Sequence, residues 1–148
     1  MKTLAALLLM TSAASAGMPG VPNEARAKIN WQLGCQGCHL ADATGSANGA
    51  PSMAGDVARF LSVEGGREYL TRVPGVTNAA VSSDQLAELL NWTLATFDSD
   101  HLPADFTPFT GEEMAAGRAH PLVGEAPTVR AALRKKFPAE KSAAGGGK

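Results

Sequence analysis

The stretch that most constrains this chain is Cys35-Gln36-Gly37-Cys38-His39. Cys35 and Cys38 are the only two cysteines in the sequence. Their spacing of three puts both sulfurs on one side of a helical turn, and the next residue can present an imidazole beside them. That arrangement is the attachment signal for a c-type haem. The two thiols add across the vinyl groups and leave thioether bonds, and His39 is then the proximal iron ligand. Other chemistries use a Cys-x-x-Cys pair. A redox dithiol is expected after a strand of a βαβ unit, and no such pattern is present. A zinc site needs two more ligands, which His101 and His120 could supply, but His39 would then have no role. A disulfide across two intervening residues closes too small a loop to stabilise a fold.

The N-terminus agrees with a haem attached outside the cytoplasm. Lys2 is followed by the apolar run Leu4 to Met10 and by the small-residue site Ala14-Ser15-Ala16. This reads as a secretory signal peptide over residues 1–16. The run is too short to span a bilayer, and no other segment is long enough. The mature chain, residues 17–148, is one domain's worth. Its charge is uneven. Residues 17–129 hold six basic and thirteen acidic residues, whereas residues 130–148 hold six basic and one acidic. The basic end is read as a solvated helix end and tail, and the acidic body as the part that steers a partner.

Along the chain the pattern is helical. Asn23 is an N-cap for a helix from Glu24 to Leu33 that carries Ile29, Trp31 and Leu33 and leads into the cysteine motif. Residues 41–50 are a loop. Short helices are expected over Asp56 to Val63, with Val57, Phe60 and Leu61 on one face, and over Arg67 to Arg72, where Pro74-Gly75 ends the run and 75–81 forms a loop. Ser82 and Gln85 make a capping box that opens a strong helix to Phe97. Residues 98–110 are irregular. Thr110 and Glu113 make a second capping box, whose helix Pro121 must stop. A last helix runs from about Pro127 to Phe137, with Val129, Ala132, Leu133 and Phe137 inward. Residues 138–148 are expected to be a disordered tail.

These residues together resemble the class I monohaem c-type cytochromes. In that family an aromatic precedes the first cysteine by four, as Trp31 does. The last core helix offers a leucine and then an aromatic three residues on, as Leu89 and Trp92 do. Gly49-Ala50-Pro51-Ser52-Met53-Ala54-Gly55 is similar to the family's Gly-Pro-x-Leu-x-Gly segment with one residue added. The resemblance covers residues 24–97. It implies an all-α, cytochrome c-like helical domain (residues 17–97) around one covalent haem c, followed by a helical C-terminal extension (98–137) packed on it. It also implies that the Pro51 carbonyl accepts a hydrogen bond from His39, fixing the ligand's tautomer.

The sixth iron ligand departs from the pattern. The family takes a methionine from the loop before the last core helix, and residues 75–82 contain no Met or His. Met53 is the candidate distal ligand, although its position matches a family leucine that packs on the proximal side. Met18, Met114, His101 and His120 are further candidates, and a vacant site is the remaining option. Methionine ligation suits electron transfer; an open site suits small ligands. The expected function is that of a non-enzymatic periplasmic electron carrier. Its partners would be a periplasmic dehydrogenase, an oxidase or another cytochrome, with no nucleic-acid partner. The alternative is a haem-based sensor with an open distal side.

Overall fold

A computed structural model describes residues 17–47 and 49–139. The expected leader, residues 1–16, lies outside the described residues, as does all of the expected tail beyond residue 139. Among the described residues there are seven α-helices and no strand. They are α1 (Glu24–Gly34), α2 (Gln36–His39), α3 (Gly66–Arg72), α4 (Pro74–Thr77), α5 (Ser83–Phe97), α6 (Gly111–Ala119) and α7 (Ala126–Arg134). Among the same residues, no helix is long and apolar enough to cross a membrane.

α5 is the axis of the molecule. Its N-terminus is held by the expected capping box, in which Ser82 Oγ accepts from Gln85 N and the Gln85 side chain accepts from Ser82 N. The helix then buries an unbroken run from Leu86 to Leu94. A helix buried on all sides needs partners all round, and α1 and α6 pack on it.

α1 has little apolar character and touches the core through Ala27 and Trp31 alone. Ile29 and Leu33, read above as its large apolar residues, are 52% and 84% exposed. Ala27, small and fully buried, lets the backbones of α1 and α5 approach closely. Trp31 meets the Phe97 ring at 4.7 Å and the Trp92 ring at 6.1 Å. The crossing is locked by Glu88 of α5. Its buried carboxylate accepts from Asn23 N at 2.7 Å and from Arg26 Nε at 2.7 Å.

Between the cysteine motif and α5 the helices are short. Residues 58–62 form a 3₁₀ turn rather than an α-helix, and Asp98 Oδ2 accepts from Ala58 N at 2.6 Å. α3 stops at Arg72 as expected, because Val73 ahead of Pro74 is extended. Pro74 itself sits at the first position of α4, where its missing N–H costs nothing, so part of the expected 75–81 loop is a turn of helix.

The chain after Phe97 closes over this core. Asn91, 1% exposed, donates to the carbonyls of Gly20 and Phe109 and accepts from Phe109 N, which ties the N-terminal coil and the extension to α5. α6 is capped by Thr110 and Glu113 as expected. It lies so close to α3 that a Cβ on Gly117 would collide with the Thr71 backbone. α7 ends at Arg134, short of Phe137, and Ala132 faces solvent, while Leu133 is its buried anchor. The basic residues of α7 are not simply solvated. Arg130 Nη2 meets Asp56 Oδ2 at 2.7 Å, and Arg134 pairs with the same oxygen. Asp56 is only 7% exposed.

Candidate haem-binding site

α1 ends at the motif, where Cys35 N still donates to Trp31 O at 2.9 Å. A single further turn, α2, follows. His39 N donates to Cys35 O at 3.0 Å and Leu40 N to Gln36 O at 2.9 Å. The turn therefore brings Cys35, Cys38 and His39 together within one helical turn, with the two thiols not joined to each other.

The loop that follows is bent hard back on itself. Leu40, Ala43 and Gly45 all have positive φ, between 60° and 68°. For Leu40 and Ala43, which carry side chains, a positive φ costs about 1–3 kcal/mol each. Backbone strain of this kind persists only where surrounding contacts fix it. Here Ala43 is fully buried and its carbonyl accepts from Met53 N at 2.8 Å. Gly45 is a glycine by necessity, because its φ is +68° and a Cβ would strike the Ala50–Pro51 backbone.

The result of the bend is one short contact: His39 Nδ1 lies 3.0 Å from the Pro51 carbonyl oxygen. A carbonyl can only accept, so the bond places the proton on Nδ1 and leaves the Nε2 lone pair free. Burial pushes the imidazole's pKa below its ordinary value, and the Pro51 bond opposes this in part. The Cys35 thiol is pushed up, first by burial and then by its neighbour Cys38.

These groups border a cavity of ≈ 950 Å³. Ligand cavities commonly span about 300–1,000 Å³, so this one suits a large planar group. Its walls come from α1, the 40–57 loop, α3, α4, α5 and α7. They are mostly hydrocarbon, including Val57, Leu70, Val73, Val76, Leu86 and Leu90. The indole of Trp31 also borders it, and its buried Nε1 has no partner. Two thiols, an imidazole with a free lone pair, an apolar slot and an orphaned donor together fit a covalently attached haem.

Met53 lies on the cavity wall, two residues beyond the Pro51 carbonyl. The other distal candidates do not line the cavity. Met114 is fully buried in α6. His101 Nδ1 pairs with Asp98 Oδ1 at 2.6 Å. His120 borders a separate polar cleft with Arg67 and Arg72. Among the described residues no three His, Cys, Asp or Glu side chains converge as a metal site would need, so the cysteines do not meet His101 and His120. Sequence reasoning missed the contribution of α7, which places Arg130 and Arg134 on the cavity wall. Helical spacing marks both as neighbours but does not identify Asp56 as their partner.

The chain is 33% identical to a protein named cytochrome c-552 from Thermus thermophilus, over 92% of this chain and 97% of the relative. A second cytochrome c-552 from the same species is also 33% identical, over 75% of this chain and 95% of that relative. No family model matches the chain, and no solved structure matches it.

Proposed function

The chain belongs to the monohaem c-type cytochromes, whose cofactor is covalently bound haem c, and on that premise we propose that it is an exported, periplasmic electron carrier. Cys35 and Cys38 would form the thioether bonds and His39 would ligate the iron. The bound haem supplies the one-electron couple. The chain's own residues hold and tune it. Pro51 takes the Nδ1 proton of His39 in a hydrogen bond, which orients the ring and makes Nε2 a better donor. The hydrocarbon walls from α3, α4 and α5 keep water away, which disfavours the more highly charged oxidised state. Ile29, Leu33 and Leu40 are exposed apolar residues near the cysteine turn, where a redox partner would approach.

The observation that carries this reading is the 3.0 Å contact between His39 and Pro51 at the edge of a large apolar cavity that also reaches both thiols. Its test is expression of the full chain in a host that matures c-type cytochromes. The expected product lacks residues 1–16, gains the mass of one haem, and titrates as a single reversible one-electron couple. A colourless product, or a couple that cannot be cycled, would overturn the reading.

A further inference from the structure

The cavity is chemically one-sided. All its sulfur and imidazole groups come from the segment Cys35 to Met53. The part built by α4 and the start of α5 presents Val73, Pro74, Val76, Ala79, Leu86 and Leu90, none of which offers iron an electron pair. Met53 belongs to the same short segment as the carbonyl that holds His39, with its backbone N–H committed to Ala43.

This hydrocarbon wall is also held from outside. The connection from α4 to α5 runs only from Asn78 to Ser82. Arg118 of α6 reaches across it. Its Nη2 donates to the carbonyls of Ala79 at 2.7 Å and Val81 at 2.8 Å, and its Nη1 to Ser83 Oγ at 3.3 Å. Next to it, Gly117 packs against Thr71, and Leu122 N donates to Arg72 O at 2.9 Å. A short connection pinned at two carbonyls does not swing to deliver a ligand.

Resting on the haem assignment above, we infer that this chain gives the iron a single protein ligand, His39. The sixth position stays open to a small neutral diatomic such as carbon monoxide or nitric oxide, beneath an apolar roof held by Arg118. The wall chemistry selects the ligand class. Polarity, hydrogen-bond donors and access on the distal side decide what binds there. The α4–α5 part of the wall offers no donor to an anionic or strongly polarised ligand, the cavity's cations Arg130 and Arg134 are committed to Asp56, and carbon monoxide and nitric oxide need no donor.

The test uses the full-length holoprotein. The ligand-free ferrous spectrum is expected to be five-coordinate and high-spin, and carbon monoxide to bind one per haem with a saturable shift of the main absorption band. Nitric oxide should also bind, and azide should leave the ferric spectrum unchanged. Met53→Ala should leave the ferrous iron five-coordinate and still able to bind carbon monoxide. Arg118→Gln should lower that affinity several-fold and admit water to the ferric iron at unchanged haem content, with Arg118→Lys recovering part of the loss. A six-coordinate low-spin spectrum indifferent to carbon monoxide would overturn the inference, and its loss in Met53→Ala would identify Met53 as the ligand instead. Both of those outcomes leave the electron-carrier reading standing, since covalent haem and reversible reduction are read separately. A chain without covalent haem would sink both.

Discussion

The two sides of the haem cavity are built in opposite ways. The side carrying Cys35, Cys38, His39 and Pro51 is made by one continuous stretch, bent back by three residues with positive φ. Its key contact spans twelve positions. The rest of the wall is made by α3, α4, α5 and α7, held by contacts that span far more sequence. Arg118 reaches back 39 residues to Ala79, and Arg134 reaches back 78 to Asp56. One side is chemistry written locally. The other is a shape that exists only once the extension has folded over it.

The largest effect should come from breaking the local side. Cys35→Ala combined with Cys38→Ala removes both proposed points of covalent attachment. The product should carry no haem that survives denaturing conditions, as read by mass. The same denaturing test on a chain altered only in α7 should still find the haem attached.

The next largest effect should fall on the long-range side. Removing Arg130 and Arg134 together leaves Asp56 with its carboxylate buried and both partners gone. Stripping the partner from a buried charge costs about 3–5 kcal/mol. Because Arg134 is 41% exposed, about 3 kcal/mol is the expected loss for the double alanine variant. Adding Asp56→Asn should recover much of it. Denaturant unfolding of the three proteins checks both expectations.

These two sides also differ in how much of them can be read before folding. The capping boxes at Ser82–Gln85 and Thr110–Glu113 are local, and both form where the residues place them. The contact of Pro51 with His39 follows from the resemblance and is present. Ile29 and Leu33 look like core residues by type, yet α1 turns them outward because only its Ala27–Trp31 face meets α5. Pro74 reads as a stop and is one, since α3 ends at Arg72, but the same proline also opens α4 inside the expected loop. Arg118, Arg130 and Arg134 look like surface charge because their partners are three backbone carbonyls, a serine hydroxyl and one distant carboxylate. Nothing in a linear sequence marks a carbonyl as a partner.

A smaller effect separates geometry from attachment within the local side. Gly45→Ala forces a side chain into the left-handed region and against the Ala50–Pro51 backbone. The strain alone is about 1–2 kcal/mol. The clash should push the Pro51 carbonyl away from His39. A weaker acceptor makes the imidazole a poorer donor, so the oxidised iron loses stabilisation and the reduction potential should rise. Covalent haem should be retained. A potential that stays at the wild-type value would mean that the bond does not tune the iron.

The smallest expected effect is a pH dependence carried by the extension. Glu113 accepts from Arg67 Nε at 2.6 Å, from Arg67 Nη2 at 2.9 Å and from Thr110 N at 2.9 Å. Its carboxyl is therefore held below the ordinary range, first by the hydrogen bond from Arg67, with burial opposing. A carboxylate with a lowered pKa in the fold binds fewer protons there than in the unfolded chain. Its stabilising contribution is thus complete above the unfolded value of about 4.3 and disappears as pH falls through the lower folded value. Glu113→Gln keeps a side chain able to cap α6 but removes the charge. The melting temperature of this variant should sit slightly below that of the wild type at neutral pH, and the two curves should converge in acid. Parallel curves down to the lowest pH would show that Glu113 holds α6 to α3 as a shape rather than as a charge.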